Sequence, residues 1–253
     1  MTPSTTKRTY YAIKLSPDSS HQQILGVLPL RAELRALGRD PDALRFHLLT
    51  QDDRILRTHN DWVQRTFMRV LGERGYRVVA LERYPLTGMA MEQVAFHQTD
   101  LEAGLPPLDG VFDFILCADV LEHLRDPASL LRALRPLLAA GGALVASLPN
   151  SGHWYFRLNV LLGRFPRQDK GLFDRTHLHF CMWTNWVELF ESAGLPVKLS
   201  KLTVPPLELR FPRSSGAPWL RLANRASSFL ARTWKELFAY QFIVLARPSG
   251  RES

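Results

Sequence analysis

This sequence has few cysteines and lacks a long hydrophobic run, and each of these two features excludes a class of protein. The two cysteines, Cys117 and Cys181, lie singly inside apolar segments, so neither a disulfide framework nor a zinc-type cysteine pair is available. No apolar run approaches the roughly 20 residues of a membrane-spanning helix, and the N-terminus lacks the apolar centre of a signal peptide. With 46% hydrophobic and 22% charged residues, the chain is predicted to be a globular protein of the reducing cytoplasm.

The net charge of +8 is carried mainly by the C-terminal fifth of the 253 residues. From Lys198 onward, ten lysines and arginines stand against three acidic residues. In "APWLRLANRASSFLARTWKELF" (Ala217–Phe238) the arginines alternate with large apolar residues, which disfavours nucleic acid as a partner and favours an amphipathic helix. That helix either packs on the core with solvated arginines, the favoured interpretation, or makes peripheral contact with an anionic membrane.

Four short, nearly continuous apolar segments predict the strands of a parallel sheet buried on both faces. These segments are Tyr76–Glu82, Gln93–Asp100, Val111–Asp119 and Gly142–Asn150. Asp126 can cap a helix between the last two, with Pro127 in its first turn and a stripe of leucines along one side. Gly141 and Gly142 are predicted to end that helix.

The C-terminal half continues with one more helix and two more strands. The helix is predicted for Trp183–Gly194, and the strands for Leu195–Val204 and Tyr240–Pro248. The segment Asn150–Met182 before them is long for a loop inside a compact domain, and loops of that length are usually functional or disordered. Its aromatic residues and three histidines indicate a functional segment.

These segments together resemble class I S-adenosylmethionine-dependent methyltransferases. The resemblance is strongest in "FDFILCADVLEHLRDPASLLRALRPLLAAGGALVASLPN" and in "FDRTHLHF". Both are similar to the branch of ubiquinone-biosynthesis O-methyltransferases and bacterial polysaccharide-cluster methyltransferases. The resemblance implies an α/β fold with a Rossmann-like, doubly wound, mostly parallel sheet, a C-terminal antiparallel strand and three layers. Residues 1–30 would be a leader and 31–253 a single domain, with an acceptor-side insertion at 150–182 and a basic helical insertion at 205–239.

The resemblance also implies a cofactor site for S-adenosylmethionine at the carboxyl ends of the strands. Glu82, which ends the second strand of the family pattern, would bind the ribose hydroxyls. Asp100 would lie by the adenine, with Leu101 beside the ring. Cys117 and Ala118 would approach the methionine part, where small residues allow the cofactor close to the backbone.

The glycine-rich loop of the family is missing from this chain. Only glycine allows the backbone to pass tightly against the cofactor there, yet no glycine lies between Gly38 and Gly72. "ALRFHLLTQDD" is a substitute first strand in our interpretation, and "HNDWVQRTFMRVLG" the helix after it. The cofactor loop is therefore either remodelled or lost, which leaves an enzyme and a catalytically inactive binding or scaffold protein as two open alternatives.

"DVLEH" places Asp119, Glu122 and His123 on one face if a helix begins at Asp119. Such a set could hold Mg²⁺, or Mn²⁺ with the imidazole included. Ubiquinone-type O-methyltransferases and small-RNA 2′-O-methyltransferases have a similar metal-binding set. The latter add a histidine before the next helix, which implies His177 as a further ligand, with His179 as its alternative. The competing interpretation is a capping box of Asp119 and Glu122, with His123 facing the acceptor.

His177 is the best single catalytic candidate, because a neutral imidazole can take a proton from an acceptor hydroxyl without a metal. His123 and Asp119 are the other catalytic candidates. The acceptor wall is predicted to come from the insertion, and it contains His153, Trp154, Tyr155, Arg157, Phe173, Asp174 and His177. The expected activity is methyl transfer from S-adenosylmethionine to an oxygen, rather than a nitrogen, of a small-molecule or glycan acceptor. Oligomeric state and acceptor identity are left open.

Overall fold

A seven-stranded sheet forms the centre of the chain in a computed structural model. The described residues are 20–28, 45–50, 70–74, 76–83, 94–205 and 217–249, of which 20–21 and 45–50 are described by their backbone alone. The strand order is β3-β2-β1-β4-β5-β7-β6. The strands are β1 Arg45–Thr50, β2 Arg77–Glu82, β3 Val94–Gln98, β4 Phe112–Ala118, β5 Leu138–Pro149, β6 Val197–Leu202 and β7 Gln241–Ala246.

The pairs formed among strands β1 to β5 are all parallel, whereas β7 is antiparallel to both β5 and β6. The helices are α1 Ser20–Leu25, α2 Pro127–Leu134, α3 Trp154–Leu161, α4 Trp183–Ser192, α5 Pro218–Thr233 and α6 Lys235–Phe238. The predicted Rossmann-like α/β fold with a C-terminal antiparallel strand is confirmed. The predicted boundaries of the leader and the domain stay a prediction.

Successive residues of the strands point to opposite faces of the sheet, and each face has its own core. On β4, Ile115 and Cys117 pack with the leucines of α2 and with the aromatic side chains of α4. Phe114 and Leu116 pack on the other face, where Ile24 of α1 is buried. The fold therefore has three layers, as the resemblance implies.

The substitute first strand occupies the middle of the sheet. β1 pairs in parallel with β2 on one side and with β4 on the other, with Phe46 opposite both Val78 and Phe114. The prediction of a strand in "ALRFHLLTQDD" is confirmed. Of the helix predicted after it, residues 70–73 are helical. Residues 51–69, where the cofactor loop is expected, lie outside the described residues.

The helix predicted to run from Asp126 to Gly141 is wrong in its C-terminal half. Asp126 does cap α2 by accepting a hydrogen bond from the Ser129 amide at 2.9 Å. The helix ends at Leu134, however, and a 3-10 turn follows at Arg135–Leu137. Pro136 explains the early end, because it has no amide proton to continue the helix. The residues from Leu138 onward instead extend β5.

The C-terminal amphipathic helix is confirmed as α5, but it buries little of itself. Its buried residues are Leu220 and Ala231, while Leu222 and Phe229 are 69% and 68% exposed. Core packing therefore explains only part of its apolar face, and membrane contact through this helix stays a prediction. Within the described parts of the chain, no helix combines the length and apolar character needed to cross a bilayer.

Candidate functional site

The acids predicted to bind the nucleoside meet at the carboxyl ends of β2 and β3. Glu82 is the last residue of β2 and is 3% exposed, with Oε1 accepting a hydrogen bond from the Arg83 amide at 2.9 Å. The carbonyl of Glu82 accepts from the Thr99 amide at 2.9 Å, which holds the two strand ends together. Asp100 lies next to Thr99 and pairs with Arg83 at 3.2 Å between Oδ2 and Nη2.

Asp100 also begins the 3-10 turn Leu101–Ala103, where its carboxylate accepts from the Glu102 amide at 3.0 Å. Leu101 is buried beneath this turn. The cofactor candidates of β2 and β3 are thus adjacent. Their roles toward a nucleoside stay predictions.

Cys117 and Ala118 end β4, beside the central strand β1. Cys117 is fully buried, and burial, followed by the nearby Glu122 carboxyl, raises the pKa of its thiol. The thiol is therefore uncharged near neutral pH and serves as a small apolar side chain, not as a nucleophile. The approach of a ligand to the backbone at these two small residues stays a prediction.

Asp119 does not begin a helix, so both the predicted common face and the capping box are wrong. Its φ of 54° lies in the left-handed region, which Asp tolerates better than most residues. The turn after it is a 3-10 turn at Leu121–His123, and Val120 precedes this turn without a side-chain cap.

The conformation of Asp119 is explained by bonds to two other strands. Oδ1 accepts from the Ser147 hydroxyl and from Nε2 of Gln241, both at 2.8 Å. The amide of Asp119 donates to the Ser147 hydroxyl at 2.8 Å. These partners hold the turn at the end of β4 in a backbone conformation that would otherwise be unfavourable.

Glu122, His123 and His177 form a compact cluster beside this turn. One ligand atom from each lies within 4.8 Å of the others. Nε2 of His177 is 3.9 Å from Oε1 of Glu122, and the two imidazole centroids are 4.8 Å apart. The segment that carries His177 is fixed by two amides, of Leu178 and His179, which donate to the Glu122 carbonyl at 2.8 and 3.2 Å.

Burial disfavours the charged forms of both Glu122 and His177. Desolvation, followed by the charges of Asp119 and Asp174, raises the pKa of Glu122 well above its usual value. Desolvation, followed by the neighbouring His123, lowers the pKa of His177 to about 4. Among the described residues, neither Oε2 of Glu122 nor Nδ1 of His177 has a hydrogen-bond partner. Two buried polar atoms without partners in one cluster indicate a place for a ligand.

His123 is held in one tautomer by a relay through Thr176. The Thr176 hydroxyl donates to Oδ1 of Asp174 at 2.6 Å and lies 3.0 Å from Nδ1 of His123. Because the single hydroxyl proton goes to the carboxylate, Nδ1 of His123 must be the donor to Thr176. The lone pair of neutral His123 is therefore on Nε2.

His179, the alternative to His177, has a structural role instead. Its Nε2 lies 2.7 Å from the Leu124 carbonyl, which can only accept, so this nitrogen carries the proton. His179 therefore ties its segment to the residues after the 3-10 turn and is not part of the cluster.

A metal ion is implied by the resemblance, and the cluster fits only one type of ion. The structure gathers Glu122, His123 and His177, whereas Asp119, the fourth predicted ligand, uses its carboxylate on Ser147 and Gln241. One carboxylate and two imidazoles suit a transition ion such as zinc or iron better than Mg²⁺, which prefers oxygen ligands. The donor set therefore does not favour the predicted Mg²⁺.

The predicted acceptor wall is only partly open to a ligand. His153 caps α3 by accepting from the Tyr155 amide at 3.2 Å, and Nε of Arg157 donates to the Gly152 carbonyl at 2.6 Å. Asp174 is buried and accepts from Thr176. Tyr155 is 39% exposed, with its ring 5.9 Å from that of Phe173. Acceptor binding by these four residues stays a prediction, and Tyr155 and Arg157 are the two that are exposed.

Sequence reasoning missed Ser147, Thr176 and Gln241. Thr176 stands directly before His177, so the "FDRTHLHF" motif already contained it. Ser147 and Gln241 lie 28 and 122 residues from Asp119, and no pattern in the sequence connects them to it.

Buried His153 provides a test of these assignments through protein stability. Burial lowers its pKa to about 4, whereas in the unfolded chain the usual value is near 6.5. Below pH 6.5 His153 binds a proton in the unfolded state but not in the folded state, so the free energy of unfolding falls as the pH falls from 6.5 to about 4. The full change from this residue is on the order of 3 kcal/mol.

The replacement His153→Asn keeps a helix cap but removes the titration. We expect denaturant unfolding to show a shallower loss of stability between pH 6.5 and 4 in this variant than in the wild type. His97→Asn, at an exposed position of β3, serves as the control and should keep the wild-type slope. Equal slopes in all three proteins would contradict the lowered pKa of His153.

A family model described as a methyltransferase domain matches residues 64–198, more than half of the chain. The ubiquinone biosynthesis O-methyltransferase of Aeromonas salmonicida is 28% identical over 128 residues, which are 48% of this chain and 53% of that protein. The corresponding protein of Azotobacter vinelandii is 36% identical over 69 residues, 27% and 30% of the two chains. The chain thus spans about half or less of the length of these curated relatives.

Solved methyltransferases share the fold at low identity. The 1,6-didemethyltoxoflavin-N1-methyltransferase of Burkholderia thailandensis has a TM-score of 0.51 at 15% identity, covering 92% of this chain and 80% of that one. A Mesorhizobium loti S-adenosylmethionine-dependent methyltransferase has a TM-score of 0.51 at 16% identity, covering 85% and 96%. These two show the likeness of fold alone. With the family match over residues 64–198, they place the chain in the methyltransferase-domain family of the class I S-adenosylmethionine-dependent superfamily.

Proposed function

We propose that the protein transfers a methyl group from S-adenosylmethionine to an oxygen of a small-molecule or glycan acceptor. One observation carries this proposal. The carboxyl edge of the sheet holds the buried acid Glu82 at β2, while the cluster around His177 lies just beyond β4. Ligands of open parallel sheets bind at this edge, so a cofactor over the strand ends would face the cluster.

The residues of β2 and β3 suit the nucleoside part of the cofactor. A carboxylate such as that of Glu82 can accept both ribose hydroxyl protons, and its burial strengthens such bonds. Asp100 and Leu101 offer a polar and an apolar surface next to it. Cys117 and Ala118 leave the centre of the edge open for the methionine part, whose bound sulfonium would supply the methyl group.

His177 suits the role of general base toward the acceptor hydroxyl. It is neutral near pH 7, because burial lowers its pKa to about 4. A neutral imidazole can take the hydroxyl proton as the new bond to carbon forms. His123, whose Nε2 carries its lone pair, would accept a hydrogen bond from a second donor group of the acceptor molecule, because the single proton of the reacting hydroxyl goes to His177. Methyl transfer depends more on alignment than on acid–base strength, so a weak base is sufficient.

Calorimetry with S-adenosylmethionine tests the proposal directly. We expect saturable binding by the wild-type protein. The second candidate function, a binding or scaffold protein without catalysis, is favoured by the absence of glycine between Gly38 and Gly72. The absence of any heat signal at millimolar cofactor would reject the enzyme and leave that alternative.

Chelation decides whether the cluster holds a metal. A transition ion on Glu122, His123 and His177 would lower the pKa of an acceptor hydroxyl, but it would require an ionised Glu122. Because burial raises the pKa of the Glu122 carboxyl and so disfavours the ionised form that a metal needs, we expect full activity in excess chelator. We also expect Glu122→Gln, which keeps the shape of the side chain and removes its ability to ionise, to stay within a few-fold of the wild-type rate.

The opposite result would assign a metal to the cluster. Activity that chelator removes and Mn²⁺ restores, together with loss of this response in Glu122→Gln, would contradict the metal-free base. Glu188→Gln, at an exposed position of α4, is the matched control for the substitution.

A further inference from the structure

Helix α3 is apolar and exposed around most of its circumference. Phe156 is the residue of this helix that is buried. Five large side chains of α3 and the residues just after it are about half or more exposed, and we call them the α3 surface. They are Trp154 at 45%, Leu158 at 45%, Leu161 at 82%, Leu162 at 57% and Phe165 at 48%.

Helical spacing gathers three members of the α3 surface on one side of the helix, while Val160, which is 50% exposed, lies on another side. Leu158 follows Trp154 by four residues and Leu161 follows Leu158 by three, which places them on one helix face. The inner side is anchored, since Phe156 stacks on Phe173 with ring centroids 4.5 Å apart. Because this packing fixes the rotation of the helix, the α3 surface cannot turn inward to be buried. A fixed apolar surface of this kind usually marks an interaction site.

The charged residues of α3 and of the segment after it, up to Gln168, are all arginines, and Asp169, which follows, is paired with Arg175. Between Ser151 and Gln168 there are three arginines, Arg157, Arg164 and Arg167, and no acidic residue. All three arginines are exposed. An apolar face with arginines around it is complementary to an anionic lipid surface, where the apolar side chains enter the interface and the arginines meet the headgroups.

We propose that the α3 surface docks the protein on an anionic membrane. A second copy of the chain fits less well, because a symmetric dimer through this surface would bring the same arginines of both copies together. The surface differs from α5, whose basic face the sequence already indicated. It adjoins the candidate site, since α3 begins directly after His153, but membrane binding does not depend on methyl transfer.

Co-sedimentation of the full chain with vesicles tests this proposal. One set of vesicles contains phosphatidylglycerol and phosphatidylcholine in equal amounts, and the other contains phosphatidylcholine alone. We expect wild-type protein to sediment with the anionic set, less so at high salt, and to stay in solution with the neutral set. Leu161→Glu, at the most exposed position of the surface, should reduce the bound fraction to about a tenth or less, by placing a charge in the interface.

The control is Val111→Glu, which introduces the same charge at a 48% exposed apolar position before β4, at the opposite edge of the sheet. It should bind like the wild type, and circular dichroism should show all variants folded. Wild-type protein that ignores anionic vesicles, or Leu161→Glu that binds like Val111→Glu, would overturn the proposal. A dimer that Leu161→Glu dissociates, without vesicle binding by the wild type, would assign the surface to a second copy instead.

A further variant separates the two helices. Arg221→Glu/Arg225→Glu changes the basic face of α5 and leaves α3 untouched. If this double variant abolishes vesicle binding while Leu161→Glu does not, the contact belongs to α5 and the proposal for α3 is wrong. If both variants lose binding, the proposal holds and the membrane-facing surface extends to α5.

Discussion

Replacing His177 by alanine should lower kcat by about 10²–10⁴-fold, the range for loss of a positioned general base. His177 lies in the cluster with Glu122 and His123, and its side chain is 8% exposed. Its removal takes away the proposed base and leaves His123 as the remaining imidazole of the cluster. The cofactor candidates at β2 and β3 are untouched, so binding of S-adenosylmethionine should change little. Single-turnover rates with saturating cofactor measure the effect.

The matched control is His97→Ala, which removes an exposed histidine of β3. It should keep the wild-type rate. A His177→Ala protein that is folded and within a few-fold of the wild type would show that His177 is not the base. The pH profile adds a second measurement. The pKa of His177 is lowered to about 4, so His177 should stay unprotonated as the pH falls from 6.5 towards 4. The rate per folded molecule should therefore stay constant over this pH range, whereas a base with the ordinary histidine pKa near 6.5 would become protonated and the rate would fall.

The strands could be predicted from the sequence because buried parallel strands are nearly continuous apolar runs. Arg77–Glu82 and Phe112–Ala118 lie inside the predicted ranges with at most one residue lost at each end. The end of α2 could not be placed by the same pattern. Its leucine stripe continues past Pro136, so the spacing of the apolar residues still predicts a helix there. The helix nevertheless ends, because proline has no amide proton to donate.

The turn after β4 shows a different limit. "DVLEH" is compatible with a capped helix, and local preference favours that interpretation. The structure instead places Asp119 at a φ of 54°, held by Ser147 of β5 and Gln241 of β7. Those partners come together only when the sheet forms, so the tertiary structure overrides the local signal.

The cluster was partly predictable. Resemblance of "FDRTHLHF" to the family indicated that His177 approaches Glu122 and His123, and the structure brings these three together. Its charge state could not be read from the sequence, because it depends on burial. A surface Glu-His pair would be ionised at neutral pH, whereas burial here raises the pKa of Glu122 and lowers that of His177. Burial therefore disfavours the charged forms of both side chains, and the sequence pattern alone does not show this.

The second large effect concerns Glu82, the acid that ends β2. If its carboxylate binds the ribose hydroxyls, Glu82→Ala should weaken S-adenosylmethionine binding by ~1.5–3 kcal/mol, the scale of hydrogen bonds to a charged group. This corresponds to a Kd that is roughly 10- to 150-fold higher. Calorimetry of the purified variant gives the Kd, and thermal unfolding verifies that the loss of a buried acid has not unfolded it.

Glu188→Ala, which removes an exposed acid of α4, should bind like the wild type. Equal affinity of the Glu82 and Glu188 variants would mean that the nucleoside does not use Glu82. The cofactor would then lie elsewhere along the carboxyl edge, nearer to β4 than to β2.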